Sequence, residues 1–335
     1  MHVSTLRRIV FLAAAVSLVA SGSASAATKI VVGYQRIVGP YIAAIADGRL
    51  DAEARQAGYE IEWRQFTSAG DTSTALASGS LAIGVIGSTG VAATVTRGVD
   101  LQIFWILDNI GKSEALVVRD GSGISGPNDL KGRNIGVPFV STSHFHLLIA
   151  LDKIWKLNPR SVNLLNMKPP QIVAAWQRGD IDAAYVWPPA LSELLKNGKI
   201  IADSEMIGAA SVPTFDALVV DPKWAKANPK LMAAFTAVLA QSYAEFNKAS
   251  WAVDSPQVKG IVKMIGGDGP ETVEALKLLS FPNAEEQASA KWLGGGAANA
   301  LEESAKFLAE QKQIDKALDS YEPFVTSEYA KDAAK

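Results

Sequence analysis

Two short runs of hydroxyl side chains stand where predicted strands end and helices begin. Ser88-Thr89 follows an apolar run that ends at Gly87, and Ser141-Thr142-Ser143 follows a predicted strand that ends near Pro138. The first turn of a helix has free backbone N–H groups and the positive end of the helix dipole, both of which attract an anion. One such run is usually a helix cap, but two of them after two central strands indicate an anion-binding site.

Two carboxylates could instead bind a cation. Glu114 and Asp216 begin or precede apolar strand segments, and a carboxylate that enters a buried strand costs free energy unless it is paired. Its partner is either a Lys or Arg of the chain or a cationic group on a ligand. Trp187 ends a buried strand in Tyr-Val-Trp-Pro-Pro, so its ring is either core or the wall of a cleft, where it could hold a cation.

Little in the sequence supports catalysis. His144 and His146 stand two residues apart on one predicted helix, so they point away from each other and cannot share a metal. The serines near His144 lie on the same helix start and lack the nucleophile, base and orienting group of a triad. The glycine clusters at 266–267 and 294–296 have no strand before them, so they predict turns rather than phosphate loops. We therefore expect no enzyme activity, metal or cofactor.

The first 26 residues have the pattern of a cleaved signal peptide. Arg7 and Arg8 precede an apolar run over residues 9–20, and the small residues at 24 and 26 fit cleavage after Ala26. The chain has no cysteine, which excludes disulfides, thiolate metal sites and a lipid-modified cysteine. With 32 basic and 34 acidic residues, it shows no basic excess for nucleic acid or anionic membranes. We expect a freely diffusing periplasmic protein.

One pattern of elements occurs twice and would position these residues. Residues 75–87 and 174–190 each have the pattern of a helix end, a glycine, a short apolar strand and a loop, with Gly79 aligned to Gly179. The glycine can end a helix in the left-handed conformation, and the apolar run suits a strand buried on both faces. Ligands gather at the strand ends of open parallel sheets, so two copies suggest two lobes facing one ligand. Two ordinary α/β units are the alternative.

At 335 residues the chain exceeds the usual size of a single hydrophobic core. Strand and helix patterns alternate from residue 28 to 107 and again from 114 to 220, and a helical pattern follows. We therefore predict an α/β fold of two doubly wound lobes with a ligand cleft between them. Residues 27–112 and 220–335 would form lobe I, and residues 113–219 would form lobe II. One helix is expected from residue 40 to about 57 and a long one up to 155.

Five segments, taken together, resemble the substrate-binding proteins of ABC importers for taurine, within a wider family that takes up sulfonates, nitrate and thiamine precursors. They are residues 32–35, 86–89, 113–117, 137–144 and 174–190, in this order along the chain. The resemblance implies a type II periplasmic binding protein fold, in which two lobes close on a small ligand. It also implies a monomer that delivers the ligand to a membrane permease.

The same resemblance implies a two-ended site for taurine, which carries a sulfonate at one end and an ammonium at the other. The positions that match the family's sulfonate contacts are Gln35, Ser88, Thr89, Ser141 and Thr142. Glu114 and Asp216 would hold the ammonium, with Trp187 packed over the short carbon chain. This assignment agrees with the anion-binding and cation-binding residues identified above.

Two departures from the family lie near the predicted amine end. Ala217-Leu218 stands where the taurine proteins have a bulky aromatic two positions after the aspartate, and Pro188-Pro189 replaces a single proline. Two alternatives follow: a binding protein for alkanesulfonates or another small anion, and an enzyme similar to the thiamine-pyrimidine synthases. That enzyme depends on a cysteine-rich motif, which this chain lacks.

Overall fold

The computed structural model describes residues 27–335. The predicted signal peptide, residues 1–26, lies outside the described residues. Every helix in the described part is too short or too polar to span a bilayer.

Ten strands and fifteen α-helices make up the described chain. The strands are β1 (Thr28–Tyr34), β2 (Tyr59–Gln65), β3 (Ile83–Gly87), β4 (Gln102–Asn109), β5 (Ala115–Arg119), β6 (Asn134–Val137), β7 (Asn163–Asn166), β8 (Ala183–Val186), β9 (Gly198–Asp203) and β10 (Phe215–Val220). The helices are α1 (Pro40–Ala46), α2 (Arg49–Gln56), α3 (Ala69–Ala77), α4 (Ser88–Thr96), α5 (Thr142–Ile149), α6 (Pro169–Arg178), α7 (Ala190–Leu194), α8 (Ser204–Ala209), α9 (Pro222–Ala227), α10 (Pro229–Lys248), α11 (Pro256–Ile265), α12 (Gly269–Lys277), α13 (Ala284–Gln287), α14 (Gly296–Glu310) and α15 (Glu328–Ala333).

The strands form two five-stranded sheets with the same plan. The first has the order β2-β1-β3-β10-β4 and the second β7-β6-β8-β5-β9. In the first sheet β10 runs antiparallel to β3 and β4, and in the second β5 runs antiparallel to β8 and β9. The repeated sequence pattern supplies the central strand of each sheet, β3 and β8. Each sheet is therefore mixed, with one inserted antiparallel strand.

Strand β10 corrects the predicted lobe boundary. The boundary at residue 219 places this strand in lobe II, whereas it pairs with β3 and β4 in the first sheet. Its apolar residues are buried on both faces, which predicts a central strand without indicating which sheet contains it. The chain thus crosses between the sheets after β4 and again before β10.

Two predicted helices are shorter than expected. The helix predicted from residue 40 to 57 is divided into α1 and α2, because Gly48 takes a left-handed φ of 79° between them. The helix predicted to reach residue 155 ends as α5 at Ile149 and continues as a π-helical turn over Ala150–Ile154. The edge strand β9 was not predicted.

The second sheet is buried on both faces, as the apolar runs of β5 and β8 predict. Leu116 and Val118 of β5 pack in one apolar cluster, and Ala115 and Val117 pack in another on the opposite face. This alternation follows from the two-residue period of a strand. The first sheet and most of the C-terminal helices share a single larger core.

Helix α14 packs against both lobes. Leu301 and Leu308 lie in the core of the first sheet, whereas Phe307 packs in the second-lobe cluster, edge-on to Phe145 with ring centroids 5.6 Å apart. The prediction assigned the C-terminal helices to the first lobe alone and therefore missed the contact of α14 with the second lobe.

Candidate functional site

Two small adjoining cavities, of about 20 and 30 Å³, lie where the ends of strands from both sheets meet. The parallel strands β1, β3, β6 and β8 point their carboxyl ends toward this region, which is where ligands bind in open α/β sheets. Ile37, Glu114, Trp187 and Asp216 line both cavities. The cavities are thus two parts of one site between the lobes.

Three buried carboxylates surround the smaller cavity. Asp108 is the last residue but one of β4 and lies directly opposite Asp216 of β10 in the antiparallel register, so the two side chains share one face of the sheet. Glu114 immediately precedes β5 and reaches the same cavity from the second lobe. Among residues 27–335, no Lys, Arg or His forms an ion pair with any of the three. Of the two partners considered from the sequence, a Lys or Arg of the chain is thus not found among the described residues.

These carboxylates hold protons more tightly than exposed ones. Burial raises the pKa of Glu114 to about 8 and the pKa of Asp216 to about 7. Burial also raises the pKa of Asp108 well above its ordinary value, and the neighbouring charge of Asp216 adds to this effect. A cationic group in the cavity would compensate the buried negative charges and replace these protons.

Hydrogen bonds fix the carboxylate of Glu114. The hydroxyl of Thr142 donates to Oε1 at 2.6 Å, and the hydroxyl of Ser204 lies 3.3 Å from Oε2 as a second donor. The hydroxyl of Tyr185 lies 2.9 Å from that of Ser204, and a hydrogen bond between them helps to position the Ser204 hydroxyl. The Thr142 hydroxyl proton is thus used by Glu114, so the contribution of Thr142 to anion binding would come mainly from its backbone N–H.

Three helix N-termini converge on the larger cavity. Ser68 accepts a hydrogen bond from Asp71 N at 3.2 Å as the cap of α3, and Ser141 accepts one from His144 N at 3.1 Å as the cap of α5. Gly87, which precedes α4, lines the same cavity. Because the first backbone N–H groups of a helix have no partner within the helix, this end of the site can bind an anion.

Two glycines allow close packing at the site, Gly87 between the lobes and Gly90 within the first lobe. A Cβ on Gly87 would lie 3.0 Å from Cγ2 of Thr142 and 3.1 Å from Oδ1 of Asp216. A Cβ on Gly90 would lie 2.8 Å from that of Ala69 and 3.5 Å from the carbonyl oxygen of Val140 in the second lobe. A side chain at Gly87 would therefore push Thr142 of the second lobe away, whereas one at Gly90 would collide with Ala69 in the first lobe.

Trp187 separates the site from a larger groove. Its side chain is half-buried, lines both cavities and packs against apolar residues of both lobes. On its other side lies a groove of about 250 Å³, whose apolar lining includes Phe66, Pro169, Pro170 and Val173. Trp187 therefore forms a wall of the inner site, as the cleft interpretation of the sequence requires.

Six of the eight predicted site residues line the two cavities: Gln35, Glu114, Ser141, Thr142, Trp187 and Asp216. The other two, Ser88 and Thr89, lie in the first turn of α4 but do not line either cavity. Ser88 Oγ accepts a weak hydrogen bond from Phe215 N at 3.4 Å, and Thr89 Oγ1 is buried without a partner. The hydroxyls of these two residues therefore do not contribute to the cavity walls.

Sequence reasoning missed Asp108 and Ser68. Asp108 adjoins an apolar strand run, as Glu114 and Asp216 do, and that position could have singled it out. Ser68 precedes a helix with Asp71 three residues later, which is an N-cap signal that could have indicated a third anion-binding helix end.

Neither histidine lines the cavities. His144 and His146 are buried, and burial lowers the pKa of each to about 4. His146 Nε2 lies 3.1 Å from the carbonyl oxygen of Val212. In the described part of the chain, no three His, Cys, Asp or Glu side chains are grouped closely enough to hold a metal ion.

Comparison with known proteins places these features in context. The family described as NMT1/THI5 like matches residues 55–249. The taurine-binding periplasmic protein of Escherichia coli (strain K12) is 37% identical over 308 residues, which cover 90% of this chain and 93% of that protein.

Solved structures with the same fold include binding proteins and an enzyme. The alkanesulfonate-binding protein SsuA from Xanthomonas axonopodis pv. citri bound to MOPS superposes with a TM-score of 0.73 at 21% identity, over 91% of this chain and 99% of that one. The desulfurization enzyme DSZB superposes with a TM-score of 0.62 at 15% identity, over 92% and 99%. The architecture is the type II periplasmic binding protein fold, which accommodates both binding and catalysis.

Proposed function

Because this chain belongs to the NMT1/THI5-like family and is a substrate-binding protein of the kind that serves ABC importers, we propose that its ligand is taurine. The observation that carries the proposal is the division of one enclosed site into an anionic wall and a set of helix N-termini. Asp108, Glu114 and Asp216 surround one cavity, and the starts of three helices face the adjoining one. A small ligand with an ammonium at one end and a sulfonate at the other matches this division.

The sulfonate would lie against the first turns of α3, α4 and α5. Backbone N–H groups and the hydroxyls near them would share its negative charge without a full positive charge from the protein. The ammonium would lie among the buried carboxylates, where no side chain of the described residues supplies a cation. Trp187 would cover the two methylene groups between the charged ends and close the site from the groove.

Capture would proceed by closure of the two lobes. Asp71 of the first lobe and Lys168 of the second form an ion pair at 2.6 Å, and Thr142 approaches Gly87 across the cleft. These contacts and the small cavity volumes describe a closed arrangement. A ligand favours closure only to the extent that it binds the closed state more tightly. Taurine would do so because its two ends contact groups from both lobes.

Binding without turnover agrees best with the site residues. Among the described residues, no histidine or cysteine lines the cavities. The hydroxyl of Ser141 donates a hydrogen bond to the carbonyl oxygen of Pro138 and accepts one from His144 N in the first turn of α5. An acyl or sulfonyl transfer reaction needs a nucleophile next to a base. We propose that the protein acts as a carrier, which is exported by its signal peptide, is released into the periplasm as a monomer and docks on a membrane permease.

Calorimetric titration of residues 27–335 with taurine, ethanesulfonate and sulfate tests the proposal. Taurine should bind with micromolar affinity or better, about 8 kcal/mol, and much more tightly than ethanesulfonate, which lacks the amine. Equal or tighter binding of ethanesulfonate would instead assign the protein to general alkanesulfonate uptake. Release of sulfite or any other product during incubation would show an enzyme.

A further inference from the structure

Asp108 has an unused hydrogen-bonding capacity inside the ligand site. It is buried with 2% of its surface exposed, and its Oδ1 atom has no hydrogen-bond partner among the described residues. It lines the smaller cavity together with Glu114 and Asp216. A buried carboxylate oxygen without a partner is costly, so its presence here points to a donor that a ligand supplies.

The three carboxylates approach the cavity from different elements. Asp108 and Asp216 come from neighbouring strands of the first sheet, β4 and β10, and Glu114 comes from the second lobe. Glu114 already accepts hydrogen bonds from Thr142 and Ser204, so its carboxylate is fixed in place. The remaining lining is mostly apolar, with Ser113 as its one other polar side chain, and includes Ile37, Val38, Ile110, Trp187, Pro188 and Leu279.

We infer that Asp108 is a third ligand of the ammonium group and that the three carboxylates make the site selective for primary over N-methylated aminosulfonates. This inference rests on the proposed function. A primary ammonium has three N–H donors, one for each carboxylate, and each N-methyl group removes one donor. The cavity is small, about 20 Å³, so an added methyl group would also crowd its walls.

Charge supports the same assignment. Burial and the charge of Asp216 raise the pKa of Asp108 well above its ordinary value, so this carboxyl holds its proton more tightly than an exposed one. An ammonium group among the carboxylates stabilises their ionised forms, which are the better acceptors. A trimethylammonium group carries the same charge but no N–H donor, and it therefore separates hydrogen bonding from simple charge attraction.

Affinities for a series of ligands test the inference on the wild-type chain. Taurine is compared with its N-methyl, N,N-dimethyl and N,N,N-trimethyl derivatives and with ethanesulfonate. We expect affinity to fall at least about tenfold with each of the first two methyl groups, since each leaves one buried carboxylate without its donor. A trimethyl derivative that binds as tightly as taurine would overturn the inference.

The Asp108→Asn variant tests the residue itself. It should bind taurine at least about tenfold more weakly than wild type while binding ethanesulfonate equally well or better, because the sulfonate end is unchanged. The loss caused by the first methyl group should also be smaller than in wild type, because one acceptor is already gone. Asp100→Asn is the matched control, since Asp100 is exposed and pairs with Lys223 at 3.4 Å outside the site.

Failure of this inference can be distinguished from failure of the proposed function. If wild type prefers taurine to ethanesulfonate but Asp108→Asn binds taurine normally, the inference is wrong and the function stands. If wild type does not prefer taurine, the proposed function fails first. The wild-type ligand series remains informative even if the variant does not fold.

Discussion

The main-chain N–H of Val140 donates a hydrogen bond to Nδ1 of His144, with 3.2 Å between the two nitrogens. Val140 has a φ of 61°, a left-handed conformation that costs a β-branched residue about 1–3 kcal/mol. The imidazole is buried and stacks on Phe139, with ring centroids 4.4 Å apart. Burial keeps its pKa low, so the neutral ring can accept this bond. His144 thus holds the loop that leads into Ser141 and the anion-facing start of α5.

Replacing His144 should therefore weaken both stability and binding. In His144→Phe the ring can still stack on Phe139, but Val140 N–H loses its acceptor, which should lower the free energy of unfolding by about 1–3 kcal/mol. Taurine affinity should also fall, because the loop that positions the first turn of α5 is no longer fixed by this hydrogen bond. Urea denaturation and calorimetry measure the two effects.

His144→Asn is the matched control, since asparagine retains an acceptor near the position of Nδ1 but lacks the stacked ring. We expect it to keep more of the taurine affinity than His144→Phe. Equal affinity of His144→Phe and wild type would show that the loop does not depend on this hydrogen bond.

The ligand-free protein should lose stability as pH rises above neutrality. Burial raises the pKa of Glu114 to about 8 and that of Asp216 to about 7, so between their ordinary values and these values the folded chain binds more protons than the unfolded chain. Stability then falls as pH rises through this window. Between about pH 6.5 and 8.5, loss of the Glu114 proton alone should lower the free energy of unfolding by about 2 kcal/mol.

Urea denaturation at the two pH values measures this loss, with Glu114→Gln as the comparison. The variant has no proton to lose at this position, so its stability should depend less on pH. His144 and His146 offset about 0.8 kcal/mol of this loss, because at pH 6.5 they are half protonated only in the unfolded chain, but they do so equally in wild type and variant. An identical pH dependence in the variant would contradict the assignment.

The ion pair between Lys168 and Asp71 should favour the closed state. It joins the two lobes at 2.6 Å at a partly exposed position, and Lys168 lowers the pKa of Asp71. Since exposed ion pairs contribute about 0.2–1 kcal/mol, Lys168→Ala should weaken taurine binding by up to about fivefold. We expect most of the change in the dissociation rate, which stopped-flow fluorescence can follow.

Lys196→Ala is the control for the Lys168–Asp71 ion pair, because Lys196 pairs with Glu193 at 2.8 Å within the second lobe. It should leave the dissociation rate unchanged. The difference between Lys168→Ala and wild type should also shrink as salt is added, since exposed charges are screened. A difference that persists in high salt would assign the effect of Lys168 to packing instead.

Removing the Trp187 ring should join the inner cavities to the outer groove. Trp187→Ala should weaken taurine binding by at least about tenfold, because the ligand loses its apolar cover and gains contact with water. Bulkier aminosulfonates should lose less affinity, since the groove of about 250 Å³ becomes available to them. Trp187→Phe keeps an aromatic wall, so its taurine affinity, measured by calorimetry, should lie between those of wild type and Trp187→Ala.

The sequence by itself determined the features that depend on neighbouring residues. The two apolar runs at 83–87 and 183–186 predicted the central strands of both sheets, and Ser141 predicted the start of α5. Two of the three buried carboxylates, Glu114 and Asp216, were also visible, because an acidic residue next to an apolar strand needs a partner. Strand periodicity, helix caps and the cost of burial act over a few residues, so a single sequence reveals them.

Only the tertiary structure decided which distant segments meet. Asp108 faces Asp216 because β10 returns to the first sheet and pairs with β4, and the apolar pattern of β10 suits either sheet equally well. The contact between Lys168 and Asp71 likewise depends on how the lobes close. Pairing between strands and lobes far apart in the chain is set by the packing of the whole fold, and no local pattern in the sequence specifies it.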